Sequence, residues 1–303
     1  MNKALAWGRL VRLSLAPSAV GDALAGLLIG CAGLYPGKVD SALLVLASLC
    51  VYHGNLALND WCDRELDAAT RPDRPIPSGA VSVSGALGLA SALTVVGVLC
   101  AAIAAPWAGV WMAGVAALAG LYNRRGRGPH SGPILLALCR GGNLATGSVY
   151  ALAAGFEPSL LHSGLAVLLY GGYVFQVSRL GRMEDGEDAN LDPQRIGGFL
   201  FTAAALLLAA GFAPRGAANE VAQFPAVLLA GAGAAALIME PLRSAEWTPG
   251  RVGRCMGLCL RRLLLFSTVF AWNTSTLEGA WTAGGLLLGY PFAWSLRRWF
   301  PPS

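Results

Sequence analysis

The chain has 303 residues, of which 55% are hydrophobic and only 13% are charged, whereas soluble globular domains carry about 25% charged residues. Apolar stretches recur along the whole length, which excludes a soluble domain with one anchor and predicts a single polytopic membrane domain over residues 1–303. The net charge of +5 follows from the loop charges described below, so no nucleic-acid partner is expected.

Apolar runs separated by polar or proline-containing breaks predict ten membrane-spanning helices. They lie near residues 13–34, 41–62, 83–105, 107–122, 133–154, 160–180, 197–213, 222–239, 255–272 and 278–294. The first run is near the roughly 20 residues that a spanning helix needs, and no small-residue cleavage site follows it. We therefore expect it to be retained as the first helix and not removed as a signal peptide.

Basic residues are distributed unevenly among the loops. If the N-terminus is cytoplasmic, 19 of the 22 lysines and arginines fall on the cytoplasmic side. These residues are Lys3, Arg9, Arg12, Arg64, Arg71, Arg74, Arg124, Arg125, Arg127, Arg179, Arg182, Arg195, Arg243, Arg251, Arg254, Arg261, Arg262, Arg297 and Arg298. The asymmetry predicts a multi-pass protein of the cell membrane whose N-terminus and candidate active-site loops are cytoplasmic.

Acidic residues cluster even more strongly. Of the 17 in the chain, five lie between Asp60 and Asp73 and five between Glu184 and Asp192. Both segments follow even-numbered spans and are therefore predicted to lie at the same membrane face. A solvated loop is a sufficient explanation for the second cluster alone, but not for the first, which begins inside the end of an apolar run.

The first cluster has a helical spacing. Asn59, Asp63 and Asp67 recur every four residues, and Asp60 precedes Asp63 and Asp67 by three and seven, so these side chains share one stripe of a helix. Carboxylates on one stripe repel one another unless a cation neutralises them, and oxygen-only ligands favour a hard ion such as Mg²⁺. The guanidinium groups of Arg71 and Arg74, which follow in a proline-rich loop, suit phosphate oxygens.

The pattern NDxxDxxxD at residues 59–67, followed by RPxRPIPSG at residues 71–79, resembles the signature of the UbiA superfamily of intramembrane prenyltransferases. Shorter patches resemble its EboC-like branch: Asp22, the run from Leu138 to Asn143, and Ser178-Arg179. The resemblance implies an all-α bundle with a central cavity open to the cytoplasmic side. The superfamily bundle has nine helices and the apolar runs number ten, so nine or ten transmembrane helices are expected.

The resemblance also implies an activity, namely the Mg²⁺-dependent transfer of a prenyl group from an isoprenoid diphosphate to a small or lipid acceptor within the membrane. By matching position, Asn59, Asp60, Asp63 and Asp67 would hold the metal, with Asp63 and Asp67 essential for catalysis. Donor-binding roles are expected for a larger set. Its members are Asp22, Asn59, Asp60, Arg71, Arg74, Tyr122, Arg124, Arg140, Asn143 and Arg182.

The second family motif, usually another DxxxD run, is altered, because Ser178 and Arg179 stand about where its first Asp should be. Either Arg179 and Arg182 bind the diphosphate directly, with Arg179 catalytic and Glu184 or Asp185 still reaching a metal, or the second metal site is lost. Arg140 lies inside an apolar span, so it should face the cavity or pair with a carboxylate such as Asp22.

Two rival functions remain open at this point. One is a terpene cyclase, in which the same ionisation of the donor is followed by ring closure without an acceptor. The other is a non-catalytic protein that binds an isoprenoid or polar lipid or assists its transport, as the altered second motif would allow.

Overall fold

Helices account for the regular structure in the computed structural model of the chain, which describes residues 3–126, 128–184, 191–216, 218–243 and 246–300. In these ranges there are twelve α-helices, a 3₁₀ turn at Leu13–Leu15 and no β-strand. The helices are α1 (Lys3–Leu10), α2 (Ala16–Gly30), α3 (Lys38–Cys62), α4 (Arg64–Thr70), α5 (Val83–Ala104), α6 (Pro106–Arg124), α7 (Ser131–Ala153), α8 (Leu160–Glu184), α9 (Pro193–Gly211), α10 (Phe224–Leu242), α11 (Pro249–Asn273) and α12 (Leu277–Leu296). The predicted all-α class is confirmed.

Each of the ten predicted spans coincides with one helix, from α2 and α3 to α5–α12. Within the described ranges, seven helical segments are long and apolar enough to cross a membrane on length and composition alone. They are Leu13–Gly30, Lys38–Cys62, Val83–Ala104, Leu160–Met183, Pro193–Gly211, Phe224–Leu242 and Pro249–Asn273. The protein is therefore a multi-pass membrane protein, whereas the number of crossings and the cytoplasmic orientation remain predictions.

Helix α2 packs against α3, α7, α11 and α12. Its closest approach is to α7, because a Cβ added to Gly26 would overlap the carbonyl of Leu144, and one added to Gly30 would lie 2.8 Å from the carbonyl carbon of Gly147. Small residues let membrane helices come this close. The backbones of α2 and α7 are thereby brought together, and α7 brings its polar side chains toward the centre of the bundle.

One end of the bundle carries residues 59–67 and is called the motif end; the opposite end is called the far end. At the motif end, α1 and the proline-rich loop at residues 71–82 pack on α3 and α5 through an apolar cluster that includes Leu10, Ile76 and Val81. The chain bends between α1 and α2 at Arg12, whose φ of 50° is left-handed. His53 of α3 donates from Nδ1 to the carbonyl of Val11 at 2.6 Å, which holds this bend against α3.

An apolar groove of about 1160 Å³ runs along the face of α7 that points away from α2, between α6 and α8. Trp107, Leu118, Gly141, Leu152 and Phe175 are among its lining residues. Because it extends along most of α7, the groove covers much of the thickness of a membrane.

Candidate active site

The acidic motif spans the junction between α3 and α4. Helix α3 ends at Cys62 and α4 begins at Arg64, yet the amide of Asp63 donates to the carbonyl of Asn59 at 3.0 Å and that of Asp67 to Asp63 at 2.8 Å. The helical hydrogen-bond register thus continues across the junction. Asn59, Asp63 and Asp67 therefore keep the one-turn spacing that the sequence predicts.

Two arginines neutralise two carboxylates of the motif. Nη1 of Arg74 lies 2.7 Å from Oδ2 of Asp67 and 3.4 Å from Oδ1 of Asp60, and Nη2 of Arg12 lies 2.9 Å from the same Asp60 oxygen. Asp60 and Asp67 are only 5% and 3% exposed, so their charges need these partners. Arg74, predicted to contact phosphate, is held by the motif itself in this structure.

A ladder of amide side chains joins α3 to α6. Nδ2 of Asn59 donates to Oδ1 of Asn123 at 3.0 Å, and Nδ2 of Asn123 donates to Oδ1 of Asn55 at 2.6 Å. Asn123 is buried. Asn55 and Asn123 were not among the predicted site residues, although Asn55 lies one helical turn before Asn59 and Asn123 directly follows Tyr122.

The inner face of α3 continues the polar stripe toward the middle of the bundle. Its members recur every three or four residues: Asp63, Asn59, Asn55, Tyr52 and Ser48. At 1.5 Å per residue this stripe is about 22 Å long. Polar groups therefore extend from the motif end to the centre of the bundle along one helix.

At its inner end the stripe reaches a buried network around Asp22 of α2. One carboxylate oxygen accepts from the hydroxyls of Tyr170 at 2.6 Å and Ser267 at 3.1 Å, and the other accepts from Asn143 at 3.3 Å. Nη2 of Arg140 lies 3.0 Å from Asp22 and also donates to the Tyr170 oxygen at 2.7 Å. The predicted pairing of Arg140 with Asp22 is confirmed, and the network joins α2, α7, α8 and α11.

Arg140 does not use all its donors in this network. Its guanidinium carbon lies 4.8 Å from the centroid of the Tyr52 ring, an arrangement typical of cation–π contact. Nε and Nη1 of Arg140 have no hydrogen-bond partner in the described part of the chain. The role of Arg140, Asn143 and Asp22 in donor binding remains a prediction, because their described contacts are to one another and to neighbouring helices.

The second acidic cluster lies largely outside the described residues. Asp185 is not among them, and of Glu184 only the backbone at the end of α8 is described. Arg179 lies between two rings, with its guanidinium carbon 5.8 Å from the centroid of Phe175 and 5.0 Å from that of Phe199. One turn of α8 therefore connects Arg179 to the apolar groove, which Phe175 lines.

The other predicted donor-binding residues lie at the motif end. Arg182 donates from Nη1 to the carbonyl of Gly128 at 3.4 Å. Arg71 and Arg124 are exposed, and Tyr122 is half-buried. The structure thus places these four side chains on three segments around the end of the bundle, after α4, at the end of α6 and at the end of α8.

The first motif has the donor chemistry for Mg²⁺, because Asn59 and the aspartates offer only oxygen ligands. However, no group of three or more His, Cys, Asp or Glu residues in the described ranges is arranged to hold a metal ion. Arg74 instead lies beside Asp60 and Asp67, where it supplies the positive charge. The residues fit Mg²⁺ if Arg74 releases Asp67.

Comparison with known families gives a match to the UbiA prenyltransferase family over residues 20–256. Helix α12 lies beyond the matched region. The bacteriochlorophyll synthase 33 kDa chain of Cereibacter sphaeroides is 38% identical over 115 residues, which are 35% of this chain and 38% of that protein. Digeranylgeranylglyceryl phosphate synthase of Methanothrix thermoacetophila is 42% identical over 80 residues, or 26% of this chain and 30% of that protein. The alignments thus cover about a third of these curated relatives.

Solved structures share the fold at low identity. A UbiA homologue from Archaeoglobus fulgidus bound to GPP and Mg²⁺ superposes with a TM-score of 0.62 at 15% identity, covering 89% of this chain and 100% of that one. The apo structure of a UbiA homologue from Aeropyrum pernix gives 0.62 at 20% identity, covering 84% and 96%.

Proposed function

The chain belongs to the UbiA prenyltransferase family, and we propose that it transfers a prenyl group from an isoprenoid diphosphate to a small or lipid acceptor within the membrane, with Mg²⁺ as cofactor. The observation that carries this proposal is the motif at residues 59–79. It places oxygen ligands and arginines side by side at the membrane end of a polar stripe. Curated relatives named as synthases of prenylated lipids and pigments support the same class of reaction.

The metal would be held by Asn59, Asp63 and Asp67, with Asp60 kept in place by Arg12. Mg²⁺ supplies positive charge that stabilises the diphosphate as it leaves. Asn59 is oriented by its bond to Asn123, so the amide ladder fixes one of the proposed ligands. Asp63 and Asp67 supply the negative charge that attracts the ion. Asp60 forms ion pairs with Arg12 and Arg74.

The diphosphate would be bound by arginines that surround the same end. Arg74 already lies beside Asp67, and Arg71 follows α4. Arg179 and Arg182 are on the last turns of α8. Guanidinium groups bind phosphate oxygens through paired hydrogen bonds and remain charged at all relevant pH values. Positive charge around the diphosphate would stabilise it as the C–O bond breaks, so that the allylic carbon develops cationic character. The acceptor would then form a bond to this carbon and give up a proton.

The apolar tail of the donor would lie in the groove between α6 and α8. This groove is lined almost entirely by apolar side chains, and one of them, Phe175, contacts the guanidinium of Arg179. A donor whose diphosphate lies near Arg179 therefore has an apolar path for its tail alongside α7. Burial of each CH₂ group of the tail would contribute about 0.8 kcal/mol if it were transferred from water.

The test is Mg²⁺-dependent release of diphosphate from allylic prenyl diphosphates by purified protein in lipid, with Asp63→Asn as the variant. Glu65→Gln is the matched control, because the Glu65 side chain is 86% exposed and lies two residues away on the same segment. We expect release that requires Mg²⁺, falls at least 100-fold in Asp63→Asn, and persists in Glu65→Gln.

The assay also separates the rival functions. A cyclic hydrocarbon formed from the donor alone would identify a cyclase. If the prenyl diphosphate donor stays bound to the protein without turnover, even after a membrane lipid extract is added as a source of acceptor, the transferase proposal is wrong. The protein would then be a binding protein.

A further inference from the structure

A narrow crevice lies at the motif end of the bundle, where the start of α2 meets α11 and α12. Its lining includes Leu15 and Pro17 near the start of α2, Gly257 and Arg261 of α11, and Arg297 directly after α12. The crevice has a volume of about 30 Å³, which is space for about two water-sized groups. It can therefore admit the oxygen atoms of one small polar group, but not a lipid chain.

The crevice is separate from the candidate active site. Gly257, Arg261 and Leu264 line it, and their spacing of three or four residues places them on one face of α11. Phe266 lies on a different face of this helix, with its ring 4.8 Å from that of Tyr173 in α8. None of the residues proposed to bind Mg²⁺ or diphosphate lines the crevice. Its arginines also lie beyond residue 256, where the match to the family ends.

Two guanidinium groups meet in the crevice. A Cβ added to Gly257 would lie 3.0 Å from Nη2 of Arg297 and 3.7 Å from Nη1 of Arg261, so both groups border the space that the missing side chain leaves. Both arginines are half-buried. Like charges repel one another, and solvent screens this repulsion less at a half-buried position than in open water. An anion between the two groups would remove the repulsion.

The positive charge of the crevice has no carboxylate partner, because neither Arg261 nor Arg297 forms an ion pair with another described residue. The start of α2 adds the partial positive charge of a helix N-terminus. The end of α12 also borders the crevice, but the carbonyls of Ala293, Ser295 and Leu296 already accept from amides of residues 297–300. The crevice therefore favours a negatively charged ligand.

The surroundings of the crevice are typical of a membrane interface. Nearby, α12 and the segment after it expose Phe292 at 58%, Trp294 at 59% and Trp299 at 59%. The guanidinium carbon of Arg298 lies 5.2 Å from the centroid of the Trp294 ring. Aromatic and basic side chains are enriched where a helix leaves the hydrocarbon core. Lipid headgroups lie at this level, and basic pockets between membrane helices bind anionic headgroups.

We propose that this crevice binds the phosphate group of an anionic membrane phospholipid, with Arg261 and Arg297 donating to its oxygens. Guanidinium groups suit phosphate because their N–H groups form paired hydrogen bonds with its oxygens. The lipid chains would remain outside, along α12, where Leu288 is 74% exposed. The loop charges predict that the motif end faces the cytoplasm, and the cytoplasmic leaflet carries anionic lipids.

The test is thermal unfolding of the full-length protein in neutral detergent micelles doped with phosphatidylglycerol, phosphatidylcholine or free glycerol phosphate. Phosphatidylglycerol should raise the unfolding midpoint by a few degrees. Phosphatidylcholine should have a much smaller effect, because its trimethylammonium brings a positive charge close to the two arginines. An equal response to the two lipids would overturn the proposal. Free glycerol phosphate should act only at much higher concentration, and a full response at the lipid concentration would overturn the assignment to a lipid.

Variants of the two arginines locate the response. Arg261→Gln and Arg297→Gln should each weaken the apparent affinity for phosphatidylglycerol at least fivefold. Gly257→Val keeps both charges but fills the space beside them, so it should also remove the response. Arg298→Gln is the matched control, because it removes the same charge from a neighbouring position that does not line the crevice. Equal losses in Arg297→Gln and Arg298→Gln would indicate a diffuse charge effect and contradict the proposal.

The lipid-free protein provides a second measurement. Without lipid, Arg297→Gln should unfold at the same or a higher temperature than the unmodified protein, because the repulsion from Arg261 is relieved. A residue needed only for packing would lower the midpoint with or without lipid. A lower midpoint in lipid-free Arg297→Gln, together with an undiminished response to phosphatidylglycerol, would refute the lipid site. No prenyl donor is used, so the outcome is independent of the transferase proposal.

Discussion

Replacing Arg74 should make the ligand-free protein bind a divalent ion more tightly. In this structure, Arg74 forms a 2.7 Å bond to Asp67 and a 3.4 Å contact to Asp60. An ion that uses Asp67 must first displace this guanidinium. In Arg74→Gln the competitor is gone, while a neutral donor of similar length remains.

The expected size follows from the contact that is lost. A hydrogen bond to a charged group contributes about 1.5–3 kcal/mol, and the Arg74 and Asp67 side chains are only 13% and 5% exposed, so solvent screens the pair weakly. Since about 1.4 kcal/mol corresponds to a factor of ten in Kd, the variant should bind the ion roughly 10- to 100-fold more tightly.

The assay is titration of donor-free protein in lipid nanodiscs with Mn²⁺, a paramagnetic substitute for Mg²⁺, followed by electron paramagnetic resonance of the free ion. Arg74→Lys is the control, because it keeps the charge and should remain near the unmodified protein. Arg74→Gln should also weaken binding of a non-hydrolysable prenyl thiodiphosphate about tenfold, because the Arg74 guanidinium is no longer present to bind its phosphate oxygens. If Arg74→Gln bound Mn²⁺ no better or more weakly, Arg74 would not be the resident counter-ion of the site.

Three further substitutions test the packing and the amide ladder. Arg140→Gln alone leaves Asp22 as a buried unpaired charge and should destabilise the protein by about 3–5 kcal/mol, whereas the double variant with Asp22→Asn should recover most of this loss in thermal unfolding. Gly147→Leu should lower the unfolding midpoint strongly because α2 backbone fills its space, unlike Gly164→Ala, where no atom lies within 4 Å of the added Cβ. Asn123→Leu should weaken Mn²⁺ binding several-fold, because Asn59 loses its orienting partner; an unchanged Mn²⁺ affinity would refute the role of the ladder.

The features that could be predicted from the sequence depend on local patterns. Apolar runs of about 20 residues marked each long helix, since membrane thickness sets the length of a span. The one-turn spacing of Asn59, Asp63 and Asp67 survives the break between α3 and α4 because backbone hydrogen bonds continue across it. The Asp22–Arg140 pair was predictable because a charge inside a span needs a partner and few were available.

Other features depend on tertiary contacts that no single segment reveals. Asn123 lies beside predicted residues, but its contact with Asn55 and Asn59 requires the packing of α6 on α3. Arg74 was expected at a phosphate because a loop arginine after an acidic motif has no visible partner in the sequence. A polar cavity of about 260 Å³ at the far end, lined by Ser159 and Asn273 among others, has no sequence signal, because it arises where the ends of separate helices meet.

The central network also bears on how the protein is assembled in the membrane. Asp22 enters with the first long helix, whereas Tyr170, one of its partners, follows 148 residues later, and Arg140 follows in α7. An aspartate at the centre of a span costs about 2.5–3.5 kcal/mol on insertion, so α2 is a weakly inserting segment until its partners are made. Synthesis that stops before α7 should therefore leave α2 poorly inserted and subject to degradation. Stable insertion of α2 therefore depends on synthesis of the later helices that carry Arg140 and Tyr170.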